Sequence, residues 1–285
     1  MDPMTRVFKE APGLGVKGLA VKQDGELLFK IFWDEDRARN VYSVSKSITS
    51  LAMGFAVEEG LVKLDERLED IFETPYKGVT VRELLTMQLG NRDAQMMVDH
   101  RKHYEDDYDW LHAALHFPQE EEAGQKFVYS NHGPYLAGVI IQERAHQDLV
   151  AYLQTRLFYP LGIRIPRWER DNEGRVFGAS GLELTLDDQL AIGECMRLGG
   201  QDIIPQTWLE EATKEQVKLE GIGPHWEGYG YLFWRGLHNS YRADGKEGQY
   251  IIVFPEKNAL VAVQSASDDE AKLLDLLHGP LYEAL

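Results

Sequence analysis

With one cysteine, Cys195, in 285 residues, the chain cannot build an internal disulfide framework. That cysteine sits in AIGECM, a stretch of helical character where a small buried apolar residue is expected rather than a nucleophile. Long apolar runs are also missing. Nothing approaches the length needed to cross a bilayer, and the opening MDPMTRVFKEAPG carries no apolar core of a signal peptide, so a soluble, cytoplasmic protein is expected. Basic residues are scarce, 30 Lys and Arg against 47 Asp and Glu, for a formal charge of -17. Such a field repels phosphate backbones and anionic lipid, which argues against nucleic acid and membranes as partners. No glycine-rich loop precedes a helix to cradle a phosphate, and neither internal repeats nor low-complexity linkers interrupt the chain. The short run Glu120, Glu121, Glu122 reads as a solvated loop.

What is present is enough apolar material, 44% of residues, for one large domain or two intertwined lobes. VKGLAVKQDGELLFKIF holds two strand-like runs around Asp24-Gly25, a dipeptide suited to a tight hairpin turn. Ile48, Leu51, Ala52, Phe55 and Ala56 then repeat at helical spacing before Gly60, which predicts an amphipathic helix from about Ser43 to Glu59. Thr80 with Glu83, and Thr185 with Asp188, are capping-box patterns that mark helix starts. Pro134 falls in the first turn of a helix through LAGVIIQERA. From Tyr229 onward GYGYLFW, SYRADGKEG, QYIIVF and ALVAVQS read as successive strands, and Leu273, Leu274, Leu276 and Leu277 predict a closing helix. Strands at both chain ends with helices between them predict an α+β fold: residues 1–64 and 201–285 forming a sheet lobe, 65–200 a helical lobe, and a cleft between.

One turn of the first predicted helix concentrates chemistry. In Tyr42-Ser43-Val44-Ser45-Lys46-Ser47 a serine precedes a lysine by three positions, so the two side chains share a face. A lysine whose pKa is lowered by burial can take the proton from a serine hydroxyl, and the helix N-terminal amides favour negative charge forming there. Alone, the same spacing also describes an ordinary helix start with a solvated lysine. Tyr129-Ser130-Asn131, just before another predicted helix, supplies a phenol that can shuttle a proton and an amide that can hold Lys46 or bind a carbonyl. Other clusters are weaker. His100 and His103 among Asp99, Glu105, Asp106 and Asp107 offer metal-ligand types, but DHRKHYEDDYDW reads as a charged, turn-like loop, and no metal or cofactor is expected. His112 and His116 lie among apolar residues that suggest helix packing, and His132 reads as a helix-start residue. Trp226, Tyr229, Tyr231, Phe233 and Trp234 alternate at strand spacing, mostly as core with one ring for a pocket.

Ser43-Val44-Ser45-Lys46 followed by Tyr129-Ser130-Asn131 resembles the Ser-x-x-Lys and Tyr-x-Asn motifs of the family of class C β-lactamases, penicillin-binding proteins and related esterases. Flanking segments such as TVRELLTMQLG and GLELTLDDQLAIGECMRLGG follow in the family's order, and the resemblance runs from about Val16 to Gln264. It implies a β-lactamase/transpeptidase-like fold, an antiparallel sheet from both chain ends flanked by helices, with an inserted all-helical lobe. It further implies catalytic roles for Ser43, Lys46 and Tyr129, an oxyanion hole from the backbone amides of Ser43 and Lys246, and a substrate-binding strand at Ala243, Asp244, Gly245 and Lys246, with Asn131 facing it. Gly245 suits a backbone that must come close to its neighbour. The family's basic residue on that strand is replaced by Ala243, and Asp244 would repel an acidic substrate. The expected activity is therefore acyl-enzyme hydrolysis of a small ester or amide in preference to a β-lactam, and of a β-lactam in preference to peptidoglycan. A catalytically weak penicillin-binding or ligand-sensing module of the same fold is the alternative.

Overall fold

The computed structural model describes residues 2–285. Its frame is an eight-stranded sheet in the order β2-β1-β10-β9-β8-β7-β6-β5, with β1 at Val16–Gln23, β2 at Glu26–Phe32, β5 at Val217–Lys218, β6 at Gly228–Tyr229, β7 at Trp234–Gly236, β8 at Ser240–Gly245, β9 at Gln249–Phe254 and β10 at Ala259–Ser265. A two-stranded ribbon pairs β3, Arg39–Asn40, with β4, Glu183–Leu184. Every strand pair is antiparallel. The chain ends meet where β1 pairs β10, with Leu19 opposite Val263 and Val21 opposite Val261. Asp24 and Gly25 both take positive φ, 52° and 86°, and turn the β1–β2 hairpin as their residue types predict.

Alternation sorts the sheet residues between two cores. Leu19, Val21, Ile252, Val261 and Val263 pack against the terminal helices Pro3–Glu10 and Glu270–Leu276, while Ala20, Ile251, Leu260 and Ala262 join the main core on the other face. Burial on both faces is why QYIIVF and ALVAVQS are nearly continuous apolar runs. The N-terminal helix was not among the predicted elements. Its start is set by Pro3 and by Asp2, whose carboxylate accepts from the Thr5 amide at 2.9 Å.

Both expected capping boxes are present, opening the helices Val81–Thr86 and Leu186–Arg197. The helix Leu186–Arg197, placed by sequence with the middle of the chain, lies directly on the sheet: a Cβ on Gly193 would stand 2.4 Å from Leu260 Cδ1.

Two expectations need correction. GYGYLFW is not one strand; β6 and β7 are separated by a turn at Gly230–Phe233, where Leu232 takes φ 64°. The helix Val44–Glu58 is not amphipathic in its setting, being buried at every position from Val44 to Ala56. Ser45, Ser47 and Thr49 are compatible with that because they return their hydrogen bonds to backbone, whereas Ser50 Oγ is buried without a partner. Ser45 Oγ donates to Tyr42 O at 2.6 Å, Ser47 Oγ to Leu232 O at 2.7 Å and Thr49 Oγ1 to Gly178 O at 2.7 Å. This central helix packs against a second buried one, His132–Ala145, and their N-terminal ends carry the two motifs.

Candidate active site

Ser43 is the N-cap of the central helix, so its hydroxyl stands at the helix's positive end. The residue before it, Tyr42, is held at φ 46°, a left-handed conformation costly for a bulky side chain. The surrounding bonds enforce it: Tyr42 N–H donates to Asn40 Oδ1 at 2.8 Å, and its phenol to Glu247 Oε1 at 3.2 Å. The turn therefore presents Ser43 rigidly.

Lys46 is 1% exposed. Its Nζ lies 2.8 Å from Ser43 Oγ, 2.6 Å from Asn131 Oδ1 and 2.9 Å from the carbonyl oxygen of Ala179. Burial pushes its pKa well below the ordinary lysine value, helped by the Arg101 guanidinium and opposed by the Asp244 carboxylate. A neutral amine has two N–H bonds and one lone pair. Asn131 Oδ1 and Ala179 O can only accept, so they take both N–H bonds and leave the lone pair for the Ser43 O–H. The amide of Asn131 is oriented for this because its Nδ2 donates to Met96 O at 2.9 Å.

Tyr129 completes the group. Lys46 Nζ sits 5.0 Å from its ring centroid. Burial drives the phenol well above its usual pKa, the Ser43 contact opposing the rise, so it rests as a neutral donor and not as a phenolate. Phe127, Tyr229 and Trp234 wall this side, with Tyr129 and Trp234 centroids 5.3 Å apart.

The third stretch behaves differently at each residue. A Cβ on Gly245 would lie 2.2 Å from Val41 O, so only glycine lets β8 run this close to the turn that presents Ser43. Among the described residues, neither the Ser43 nor the Lys246 amide finds a backbone acceptor. The Lys246 side chain is exposed. Ala243 is 1% exposed and packed in the main core, with no surface to offer a ligand. Asp244 points to the opposite face, where its carboxylate accepts from Arg242 Nε at 2.9 Å. Sequence reading missed Arg242: the strand does carry a basic residue, fully buried, one position early and committed to Asp244.

It also missed Arg101, which donates to Met96 O at 2.7 Å and pairs with Glu169, and His132, considered below. Nothing in residue type announces the Ala179 carbonyl. His112 and His116 stack on each other at 4.0 Å on an exposed helix face, the packing being done by Trp110, Ala114 and Leu115. No group of three or more potential metal ligands occurs among the described residues. Nor is any of the described helices long and apolar enough to cross a membrane. The Cys195 thiol is buried and pushed up to about 11 by desolvation, consistent with an inert core residue.

An antiparallel sheet built from both chain ends, flanked by helices, is the β-lactamase/transpeptidase-like fold. The chain belongs to the Beta-lactamase family, whose model matches residues 4–278. Solved structures support the architecture. EstCE1, a hydrolase with promiscuous acyltransferase activity, superposes with TM-score 0.79 at 17% identity, covering 98% of this chain and 97% of its own. A penicillin-binding protein of Bacillus halodurans gives 0.78 at 17% identity with 99% of each chain covered. A β-lactamase of Mycobacterium bovis gives 0.75 at 21%, covering 98% of each. At these identities the likeness is one of fold. A search of curated proteins returned no match.

Proposed function

We propose that the protein is a serine hydrolase that opens a small ester or amide through an acyl-enzyme on Ser43. The observation that carries this reading is the saturation of Lys46: with Asn131 Oδ1 and Ala179 O at 2.6 and 2.9 Å, a neutral amine has only its lone pair left for Ser43. Lys46 takes the proton as Ser43 Oγ bonds to the substrate carbonyl carbon. The carbonyl oxygen, now anionic, faces the amides of Ser43 and Lys246. Its collapse breaks the bond to the alcohol or amine, which receives a proton from the Tyr129 phenol, itself replenished from Lys46. Water then attacks the acyl-serine with the same base and releases the acid.

An ester or amide without a carboxylate suits the third stretch better than a penicillin. The basic position holds buried Ala243, and the strand's own cation, Arg242, is fully buried and paired with Asp244, so neither offers a substrate carboxylate a partner. The two-lobe division remains part of this proposal, with the cleft running between the C-terminal end of β8 and the segment carrying Tyr129 and Asn131.

The test is exposure to a fluorophosphonate followed by peptide mass spectrometry, with parallel time courses on short-chain aryl esters and a chromogenic cephalosporin. The expected result is one label on the Ser43 peptide, lost in S43A, with multiple turnovers on esters. Labelling that persists in S43A sinks the assignment; labelling with at most one turnover points to the sensing module instead.

A further inference from the structure

We infer that His132, in the tautomer protonated on Nε2, is a positioning residue that fixes the Asn131 amide and through it directs the Lys46 lone pair at Ser43. The inference rests on the reading of Lys46 as the base.

His132 opens the helix His132–Ala145 directly after the tyrosine motif and is 1% exposed. Its Nε2 lies 3.0 Å from Asn91 Oδ1, and its Nδ1 2.8 Å from Ser130 Oγ. The orientation of Asn91 is fixed, because its Nδ2 donates to the Tyr76 hydroxyl at 3.0 Å and to Pro118 O. An acceptor-only oxygen therefore faces Nε2 at 3.0 Å, with the Tyr76 hydroxyl farther off at 3.4 Å, so Nε2 carries the proton; the other tautomer would set the lone pairs of Nε2 and Asn91 Oδ1 against each other. Nδ1 must then accept, and the only hydroxyl beside it is that of Ser130.

Ser130 in turn holds the segment that orients Asn131. Its Oγ accepts from the Gln95 amide at 2.7 Å and also lies 3.0 Å from the Gln95 carbonyl, but its one hydrogen goes to the bare Nδ1, so that carbonyl takes the Asn131 N–H at 3.0 Å. The next residue, Met96, stands at φ 55° and its carbonyl receives Asn131 Nδ2. The chain of donors thus runs in one direction. His132 holds the Ser130 hydroxyl, Ser130 holds Gln95, Gln95 O holds the backbone N–H of Asn131 and Met96 O its Nδ2, and Oδ1 is left for Lys46. A flipped Asn131 amide would aim an N–H at Lys46 and occupy the lone pair that Ser43 needs. Burial pushes the imidazole down to about 3, which keeps the network in its neutral form across the working pH range.

The experiment compares H132L, which removes both nitrogens, with H132N, whose amide oxygen can stand near Nδ1 and accept from Ser130. Folding is checked by thermal melting, and the readouts are phosphonate labelling of Ser43 and the pH profile of p-nitrophenyl ester hydrolysis. H132L is expected to lose about ten- to hundredfold in kcat and labelling rate, the scale of a small misplacement, with KM little changed. Its acid limb moves to lower pH, because losing the Asn131 oxygen removes a partner of the ammonium form. A general loosening that admitted water would relieve the desolvation of Lys46 and move that limb upward. H132N is expected to recover most of the rate. H132L at wild-type rate, an acid limb moving up, or H132N no better than H132L overturns the inference. Imidazole 15N shifts of the wild-type protein read the tautomer without any catalysis; protonated Nδ1 with bare Nε2 also overturns it. If Ser43 is not labelled in wild type but the shifts show Nε2–H, the functional reading fails while the network stands.

Discussion

The amide oxygen of Asn131 approaches the amine of Lys46 to 2.6 Å, closer than the Ser43 hydroxyl that the proposed mechanism has the amine deprotonate. Asn131 is therefore the residue that decides which of the amine's valences faces Ser43. Asn131→Asp keeps the shape but adds a negative charge beside a buried amine. The carboxylate favours the ammonium, so the Lys46 pKa rises and the acid limb of kcat/KM moves to higher pH, by roughly 1 to 3 units for a close opposite charge. At neutral pH the variant loses activity and regains part of it in alkaline buffer. A pH–rate profile with an unshifted acid limb contradicts the role given to this contact.

Tyr129 is held protonated, so in the proposed mechanism its service is proton delivery. Tyr129→Phe should matter in proportion to how badly the leaving group needs a proton. With p-nitrophenyl esters, whose leaving group departs as an anion, kcat falls by about tenfold or less. With alkyl esters or anilides the loss approaches the 10²- to 10⁴-fold typical of general acid catalysis. Equal losses across the leaving-group series, measured as a Brønsted plot for variant and wild type, count against the assignment.

The fold was legible wherever local chemistry dictates it. The Asp24-Gly25 hairpin, both capping boxes and the paired runs at 249–265 follow from turn residues, caps and period. The Ser43-Lys46 spacing was legible for the same reason, since one helical turn fixes it. What escaped depends on contacts distant in sequence. The central helix reads as amphipathic because Ser45, Ser47 and Thr49 are polar, and only tertiary carbonyls such as Gly178 O and Leu232 O make them acceptable inside. Residue type could not show that the Ala179 carbonyl would cap Lys46 from 133 positions away, or that Arg242 would neutralise Asp244 on the far face of β8. His132 looked like a helix start and is one; its network needed Asn91 and Gln95 in space.

Gly245 is a steric requirement of the site. A methyl group 2.2 Å from Val41 O meets backbone, which cannot rotate away, so β8 must withdraw from the turn before Ser43. Gly245→Ala is expected to cost about 1–3 kcal/mol of stability, the range for overpacking. Because Lys246 follows directly, its amide moves as well, and kcat should drop by about 10²- to 10³-fold, the effect of losing one oxyanion donor. Denaturant midpoints and steady-state kinetics measure the two losses; a stable variant of normal kcat removes Lys246 from the site.

Two buried imidazoles make acid stability a sensitive probe of the structure. His132 and His278 are both pushed down to about 3 from an ordinary 6.5, His132 by burial alone, His278 by burial together with Arg242, His225 and His238. Between those values the unfolded chain binds a proton at each site and the folded chain does not. Unfolding therefore takes up protons, and stability falls as pH drops from about 6.5 towards 3, by up to about 1.4 kcal/mol per pH unit for each histidine. Lys46 contributes with the same sign at higher pH, since its folded pKa lies well below 10.5 and protonation again favours the unfolded chain. Urea unfolding at pH 4, 5, 6 and 7 should show this slope, and H132N and H278N should each reduce it by the share of one proton. The two sites occupy opposite cores, His132 beneath the tyrosine motif and His278 under the C-terminal segment, so their reductions should add. A variant with the wild-type slope would show that its imidazole already titrates normally in the folded state, against the depression that burial imposes.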